Sequence, residues 1–293
     1  MEEQLRILVS IAAAIVLEAM PFLAAGSLLS AIVEVCVSSE RLVRLVPKNA
    51  LGRVGLGIGA GFVLPTCECG VVPVARRLLR KGLPPSTALA YLIAAPILNP
   101  IVLISTYVAF RGDLAMVGGR AGVAGLVAFA VGWMMRAQTR EQVLREGEAP
   151  THDHGEHDHK HGRFRAILRH AADDFLTMGA WLIIGSLAAA TLKVAMPPET
   201  FGLLEQNQLA AVGGMMVLAV ALSVCSEADA FVAASFVTLP AVAHLAFITL
   251  GPMVDLKLIG LYIATFRRRT VWILMLVPTV LVFLACMLLG AWL

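Results

Sequence analysis

Eight stretches of this chain carry almost no charge, and they restrict it more than any other feature: residues 7–33, 54–75, 86–110, 114–135, 175–196, 209–243, 244–266 and 271–293. About 20 apolar residues in a helix cross the ~30 Å hydrocarbon core of a bilayer. Within that core the backbone has to satisfy its own hydrogen bonds, which leaves helices or closed barrels, and continuous runs of this length are helical. Composition agrees, with 59% apolar and 15% charged residues among 293 and a mean hydropathy of +0.83, far from a water-soluble balance. The chain reads as an all-α polytopic membrane protein whose first partner is the lipid bilayer. Its first run is a membrane helix and not a cleaved signal, because Met-Glu-Glu-Gln precedes it and Glu18 lies inside it. A net charge of +3 spread among loops offers nucleic acid no binding surface. The five cysteines, at 36, 67, 69, 225 and 286, form no secreted disulfide framework. Cys36 and Cys286 read as packing or lipid-facing residues.

The chain also repeats. "FLAAGSLLSAIVEV" from Phe22 and "WLIIGSLAAATLKV" from Trp181 share Gly-Ser-Leu at Gly26 and Gly185, an offset of 159 residues. "LPTCECG" matches "LSVCSEA", aligning Cys67 with Cys225, and "AAPILNP" matches "LGPMVDL", aligning Pro96 with Pro252 and Asn99 with Asp255 at an offset of 156. Three stretches at a near-constant offset divide the chain into a first repeat, 1–135, a polar linker, 136–169, and a second repeat, 170–293. Paired halves of this kind are a mark of transporters.

The distribution of Lys and Arg tests how the halves are oriented. If every run crosses once, basic residues fall 12 to 10 on the two sides, with Arg120 counted in a loop and Lys257 left out. If the runs holding Cys67 and Cys225 instead enter and leave on one face, the split becomes 18 to 4, the larger side including the linker. Each repeat is then about three transmembrane helices plus one broken, hairpin helix. Three crossings are an odd number, so the second repeat is inverted relative to the first. Both termini lie outside and the linker is cytoplasmic. Pro65, Gly70 and Pro73 suit a helix break at the first hairpin, where freed backbone groups need protein or a water-filled cavity around them. The two tips bring Cys67 and Cys225 close together near mid-membrane, where repeat transporters bind substrate.

Charges inside apolar runs cost about 3 kcal/mol each at a helix centre on insertion scales. Glu18, Glu68, Glu227, Asp229, Asp255 and Lys257 should therefore face an interior. Lys257 has two readings: a pair with Asp255 if Pro252 unwinds the segment, or neutralisation of Glu227 or Asp229 from the neighbouring hairpin. Asn99 and Asp255, each beside a proline-marked break, are either helix caps or pathway residues. Cys67, Cys69 and Cys225 are soft ligands suited to zinc, copper(I) or trivalent arsenicals, and Glu68 or Glu227 can complete a zinc set. The same thiols also read as small residues that let helices approach, as does "GLGIGAG" from Gly55, which is no phosphate loop. In the linker, "THDHGEHDHKHG" holds His152, His154, His157, His159 and His161, a composition typical of flexible metal-binding segments and also of plain solvated linkers. His170 and His244 stand alone and read as packing or interface residues.

"PTCECGVVPVARRLLRKG" with "AAPILNPIVLISTYVAFR", and "CSEADAFVAASF" with "GPMVDLKLIGLY", resemble the bacterial predicted-permease family containing the ArsP-type organoarsenical efflux permeases and the YraQ-like and YcgR-like proteins. The resemblance covers nearly everything outside the linker. It implies a multi-pass permease of the cytoplasmic (inner) membrane, with the cysteine motifs in the transport region. Glutamate between Cys67 and Cys69 is closer to the YcgR-like branch, associated with zinc-responsive regulation and a partner membrane protein, than to the arsenical exporters, which usually carry serine there. The expected function is secondary transport of a thiophilic metal or metalloid by alternating access. The substrate-binding set is Cys67, Glu68, Cys69, Asn99, Cys225, Glu227, Asp229, Asp255 and Lys257. A second reading is a membrane subunit of a metal-handling complex that works only with a companion protein. No cofactor is expected beyond bound zinc or copper, and self-association is open. An enzyme is disfavoured: there is no Walker motif and no His-Glu-x-x-His pattern.

Overall fold

The computed structural model describes residues 2–36, 38, 44–64, 66–145, 160–195 and 207–292. Each apolar run is helical, but four pairs of shorter helices replace continuous ones. The first repeat holds α1 (Glu2–Cys36), α2 (Ala50–Val63), α3 (Glu68–Arg80), α4 (Pro85–Leu98), α5 (Pro100–Ala109) and α6 (Leu114–Met134). A single 3-10 turn and the short α7 (Arg140–Val143) follow. The second repeat holds α8 (Lys160–Ala195), α9 (Gln208–Leu222), α10 (Asp229–Ala234), α11 (Ala241–Leu250), α12 (Leu256–Thr265) and α13 (Arg268–Trp292). Among the described residues there is no strand, only a bridge between Leu144 and Phe266.

The breaks follow from local chemistry. Asn99 precedes Pro100, and the proline ring drives the residue before it out of the helical region; Asn99 sits at φ −65°, ψ 146°, and α4 gives way to α5. Ser223 ends α9 in the left-handed conformation, at φ 49°. Gly251 to Val254, Pro252 among them, form the turn between α11 and α12. The run 54–75 is two helices, as its reading as a broken helix expects, although Gly70 and Pro73 lie inside the second of them and not at the break. One correction follows: the boundary between runs 209–243 and 244–266 falls inside α11. The helix that opens the second repeat begins at Lys160, within what the sequence reads as linker.

Five helical stretches are long and apolar enough to cross a membrane: Arg6–Cys36, Pro85–Ala109 (α4 with α5), Leu114–Ala137, Phe164–Thr191 and Arg268–Gly290. This is a multi-pass membrane protein. Burial sorts the five. The most apolar window of Pro85–Ala109 is 78% buried, against 22% for that of Arg268–Gly290. All of α4 is buried, as is α11 from Val242 to Leu250, so one helix of each repeat forms the centre. The outer helices keep large apolar residues such as Leu17, Leu126 and Leu288 on the surface, as lipid contact requires.

Glycine contacts give the direction of the helices. Gly57 lies against Thr87 and Ala90, and Gly61 against Ala94 and Ala95, so α2 and α4 run the same way. α3 joins α4 through residues 81–84 and packs beside it, so the chain reverses between α2 and α3. Gly132 near the end of α6 touches Ser86 at the start of α4. In the second repeat α11 packs against α9, and Gly251, just past the end of α11, reaches Ala219 in the last turn of α9. Arg145 donates from its backbone to the Thr265 carbonyl, so the segment after α6 meets the end of α12. α4 with α5 therefore leads away from the face that α11 with α12 approaches. α1 and α8, equivalent by their Gly-Ser-Leu motifs, pack against each other, and Ser30 of α1 donates to Asp174 of α8 at 2.9 Å. Arg77 of α3 joins them, donating to Asp174 at 2.9 Å, with Glu34 3.5 Å away.

The "GLGIGAG" stretch resolves by helical spacing. Gly57 and Gly61, four apart, let α2 close on α4, while Gly55 and Gly59 face open space. A methyl on Gly61 would lie 2.8 Å from the Ala95 nitrogen. Gly61→Ala should destabilise the protein by about 1–3 kcal/mol through overpacking, whereas Gly59→Ala should be neutral or slightly stabilising. Thermal unfolding of both variants in detergent checks this; equal effects would contradict the packing.

Candidate functional site

Helix starts build the site. α3 begins at Glu68, with Cys67 as its cap; the Cys67 sulfur accepts from the Gly70 amide at 3.3 Å. α12 begins just after Asp255, whose Oδ1 accepts from the Leu258 amide at 2.6 Å. Asn99 does the same for α5, accepting from Val102 at 3.0 Å. The aligned positions 99 and 255 are thus both caps, as short polar side chains at such breaks favour. The Gly-Ser-Leu glycines press these starts inward: Gly26 abuts Gly70 of α3, and Gly185 abuts Lys257 of α12. Neither glycine has room for a methyl group.

Glu68 and Lys257 meet between the two repeats. Nζ of Lys257 lies 2.9 Å from Oε1 of Glu68, 3.6 Å from Oδ2 of Asp255 and 3.8 Å from the Cys225 sulfur. Glu68, Asp255 and Lys257 are all 0% exposed. Of the two sequence readings for Lys257, neither names Glu68. The pair with Asp255 exists as the longer contact, and Asp229 is engaged elsewhere.

Asp229 belongs to a second pair. Its Oδ2 accepts from Arg120 of α6 at 2.6 Å, and Arg120 also donates to Thr106 of α5 at 2.7 Å and to the Ser226 carbonyl at 3.4 Å. Arg120 is fully buried within α6. This corrects its assignment to a loop and moves one basic residue off the less basic side of the topology count. The sequence held a signal for it: Asp113 caps α6 through the Ala115 and Met116 amides, which places Arg120 two turns inside the helix.

The two pairs share a plan. In each, the acid sits on a broken segment around an aligned cysteine motif, Glu68 in one repeat and Asp229 in the other, and the base comes from the opposite repeat. Ser226 connects them. Its hydroxyl donates to Glu68 at 3.1 Å and also lies 3.3 Å from Glu227, while its carbonyl accepts from Arg120.

Among the described residues one group offers metal-ligating atoms close together: Glu68, Cys225 and Glu227, each with a donor atom within 4.8 Å of the others. Glu68 and Cys225 are buried and Glu227 is partly so. Cys67 and Cys69 are buried nearby but stand outside this group. His152, His154, His157 and His159 lie outside the described residues. His161 falls in α8, but its side chain is not among those described, nor is that of Glu18. His244 hydrogen-bonds to the Phe236 carbonyl at 2.9 Å and packs on Phe110. The carbonyl of His170 accepts from Arg77.

The family model described as "Predicted permease" matches residues 4–291. The chain is 38% identical to the UPF0718 protein YcgR of Bacillus subtilis over 274 residues, covering 93% of each chain. It is 35% identical over 279 residues to a Streptococcus mutans protein named as a subunit of a two-component membrane permease complex, covering 94% of this chain and 92% of that one. No solved structure matches.

A buried ion pair that loses one partner leaves an uncompensated charge, at about 3–5 kcal/mol, whereas replacing both partners with apolar residues is close to neutral. Arg120→Leu and Asp229→Leu should each reduce folded yield and thermal stability severely. The double variant should recover most of the loss. Thermal unfolding of all four proteins in detergent decides it, and strictly additive losses would remove the pairing from the account.

Proposed function

This chain belongs to the predicted-permease family, and on that premise we propose that it is a secondary transporter of a zinc-class divalent cation, bound between its two repeats. The observation that carries the reading is the buried group of Glu68, Cys225 and Glu227. One sulfur and two carboxylates are a ligand set zinc accepts, and three protein ligands with an open position suit a transient occupant better than a closed structural site. Copper(I), which prefers several soft ligands, fits one thiol less well. Cys67 and Cys69 lie close enough in sequence to contribute in another conformation. Asp229 contributes by holding Arg120, and Asn99 and Asp255 by capping the helices that frame the site. The histidine tract, His152 to His161, would deliver or collect the cation from the linker.

The opposed directions of α4–α5 and α11–α12 support inverted repeats. The reversal between α2 and α3 supports a re-entrant hairpin. A site at the crossing of two inverted repeats can be exposed to either face when one repeat rocks against the other, which is the alternating access we infer. The richer share of Lys and Arg on its side supports a cytoplasmic linker, and the permease family supports an inner-membrane location. Transport is favoured over catalysis by family, and by a site whose charged groups pair with one another across the repeats. A second reading, membrane subunit of a metal-handling complex, is favoured by the name of the Streptococcus relative.

Proteoliposomes loaded with a fluorescent indicator should show zinc flux exceeding that of copper(I) and of a trivalent methylarsenical. Cys225→Ser should reduce zinc flux at least about tenfold. Cys67→Ser should keep most of it, since serine caps helices well. Flux of none of the three by the purified protein alone would favour the subunit reading, and arsenical flux dependent on Cys67 would replace the zinc assignment. For topology, Thr238→Cys should react with an impermeant thiol reagent on intact cells, and Lys81→Cys only after the membrane is opened. Labelling from the same face would overturn the inverted arrangement.

A further inference from the structure

Lys257 stands where an incoming cation has to go. Its ammonium contacts Glu68 at 2.9 Å and Cys225 at 3.8 Å, and these residues supply two of the three donors in the Glu68, Cys225 and Glu227 group. A metal ion cannot take both while the ammonium holds them. Asp255 supplies the other half of the observation. Its Oδ1 is committed to the helix cap, but its Oδ2 has no hydrogen-bond partner although the residue is 0% exposed, and it lies 3.6 Å from Lys257 Nζ. A buried carboxylate oxygen left without a hydrogen bond is costly, and this one faces the only cation within salt-bridge reach among the described residues.

Resting on the reading of this site as a cation site, we propose that Lys257 is a tethered resident cation with two seats, Glu68 and Asp255. In the empty protein it neutralises Glu68. When a metal ion binds, the ammonium transfers to the Asp255 Oδ2 and releases Glu68 to the metal with Cys225 and Glu227. When the metal leaves, the lysine returns. The exchange sets selectivity as well as occupancy. A cation gains entry only if its interaction with the released ligands exceeds that of an ammonium already in place. Sodium, potassium and magnesium gain little from a thiolate, whereas zinc gains a bond that an ammonium cannot form.

The repeats themselves show that Asp255 is not needed in charged form for its cap. Asn99 at the aligned position caps α5 with an uncharged amide oxygen at 3.0 Å. Asp255→Asn therefore keeps the helix start and removes only the charge of the second seat. Position 257 aligns with Ile101 in the first repeat, which is 57% exposed, so the lysine is a feature of one repeat alone.

The test is zinc affinity of purified protein in detergent, measured by competition with a chromophoric chelator and with folding checked by thermal unfolding. Relative to wild type, Lys257→Met should bind zinc at least about tenfold more tightly, and Asp255→Asn at least about fivefold more weakly. Adding Cys225→Ser to Lys257→Met should abolish the gain. If wild type, Lys257→Met and Asp255→Asn bind equally while Cys225→Ser loses binding, the site stands and the role of Lys257 is overturned. If neither wild type nor Lys257→Met binds zinc, the site reading falls and this inference with it. Should Lys257→Met fail to fold, Asp255→Asn decides alone, and unchanged or tighter binding by that variant overturns the two-seat exchange.

Discussion

A charge enclosed by apolar side chains persists only if an opposite charge is enclosed with it, and beside the Arg77–Asp174 pair two fully enclosed pairs tie this molecule together. Glu68 with Lys257 and Asp229 with Arg120 are all but inaccessible to solvent. Each pair joins one repeat to the other. The apolar packing within a repeat, α2 on α4 and α9 on α11, has no such selectivity, since lipid is as apolar as a neighbouring helix. Electrostatics thus adds to the packing of α1 on α8 in setting the two repeats in register. The close glycine contacts at Gly26 and Gly185 serve that register by pressing the charged helix starts toward each other.

The shared geometry also couples the two pairs. Ser226 donates to Glu68 with its hydroxyl and accepts from Arg120 with its carbonyl, so a shift of this one residue alters the surroundings of both. Both pairs lie beside the candidate ligands Cys225 and Glu227, which flank Ser226 in sequence. Binding at the site and contact between the repeats thus depend on the same short segment. That is the arrangement a transporter needs if occupancy is to bias the relative position of its halves, because a ligand shifts a conformational equilibrium only through contacts that differ between the states.

Much of this was legible in the sequence because it rests on period and offset. Long apolar runs specify membrane helices, and the matched Gly-Ser-Leu, cysteine and proline motifs specify two repeats with broken helices at aligned positions. The capping role of Asn99 and Asp255 follows from residue type beside a break. What the sequence left open are pairings across the repeats. Nothing near Lys257 in the chain indicates Glu68, which lies 189 residues away. Asp255 at two residues' distance and the acids of the second hairpin are the natural local candidates. Arg120 misleads for a related reason: a single arginine seven residues past a capping aspartate resembles the fringe of a loop unless the cap is recognised. The cluster of potential donor atoms is similarly non-local, since proximity in sequence favours Cys67 with Cys69 while the fold sets Glu68 beside Cys225.

That both ion pairs cross the repeats also has a bearing on how the protein is made. Synthesis proceeds from the N-terminus, so Glu68 and Arg120 reach the membrane first, without their partners. The N-terminal half has to hold an acid and a base in a form that lipid tolerates, near a water-accessible insertion path or loosely packed, until the rest of the chain arrives. Asp229 and Lys257 then enter a membrane that already contains their counter-charges. A chain that stops before residue 229 therefore carries Glu68 and Arg120 without the partners that neutralise them in the completed fold.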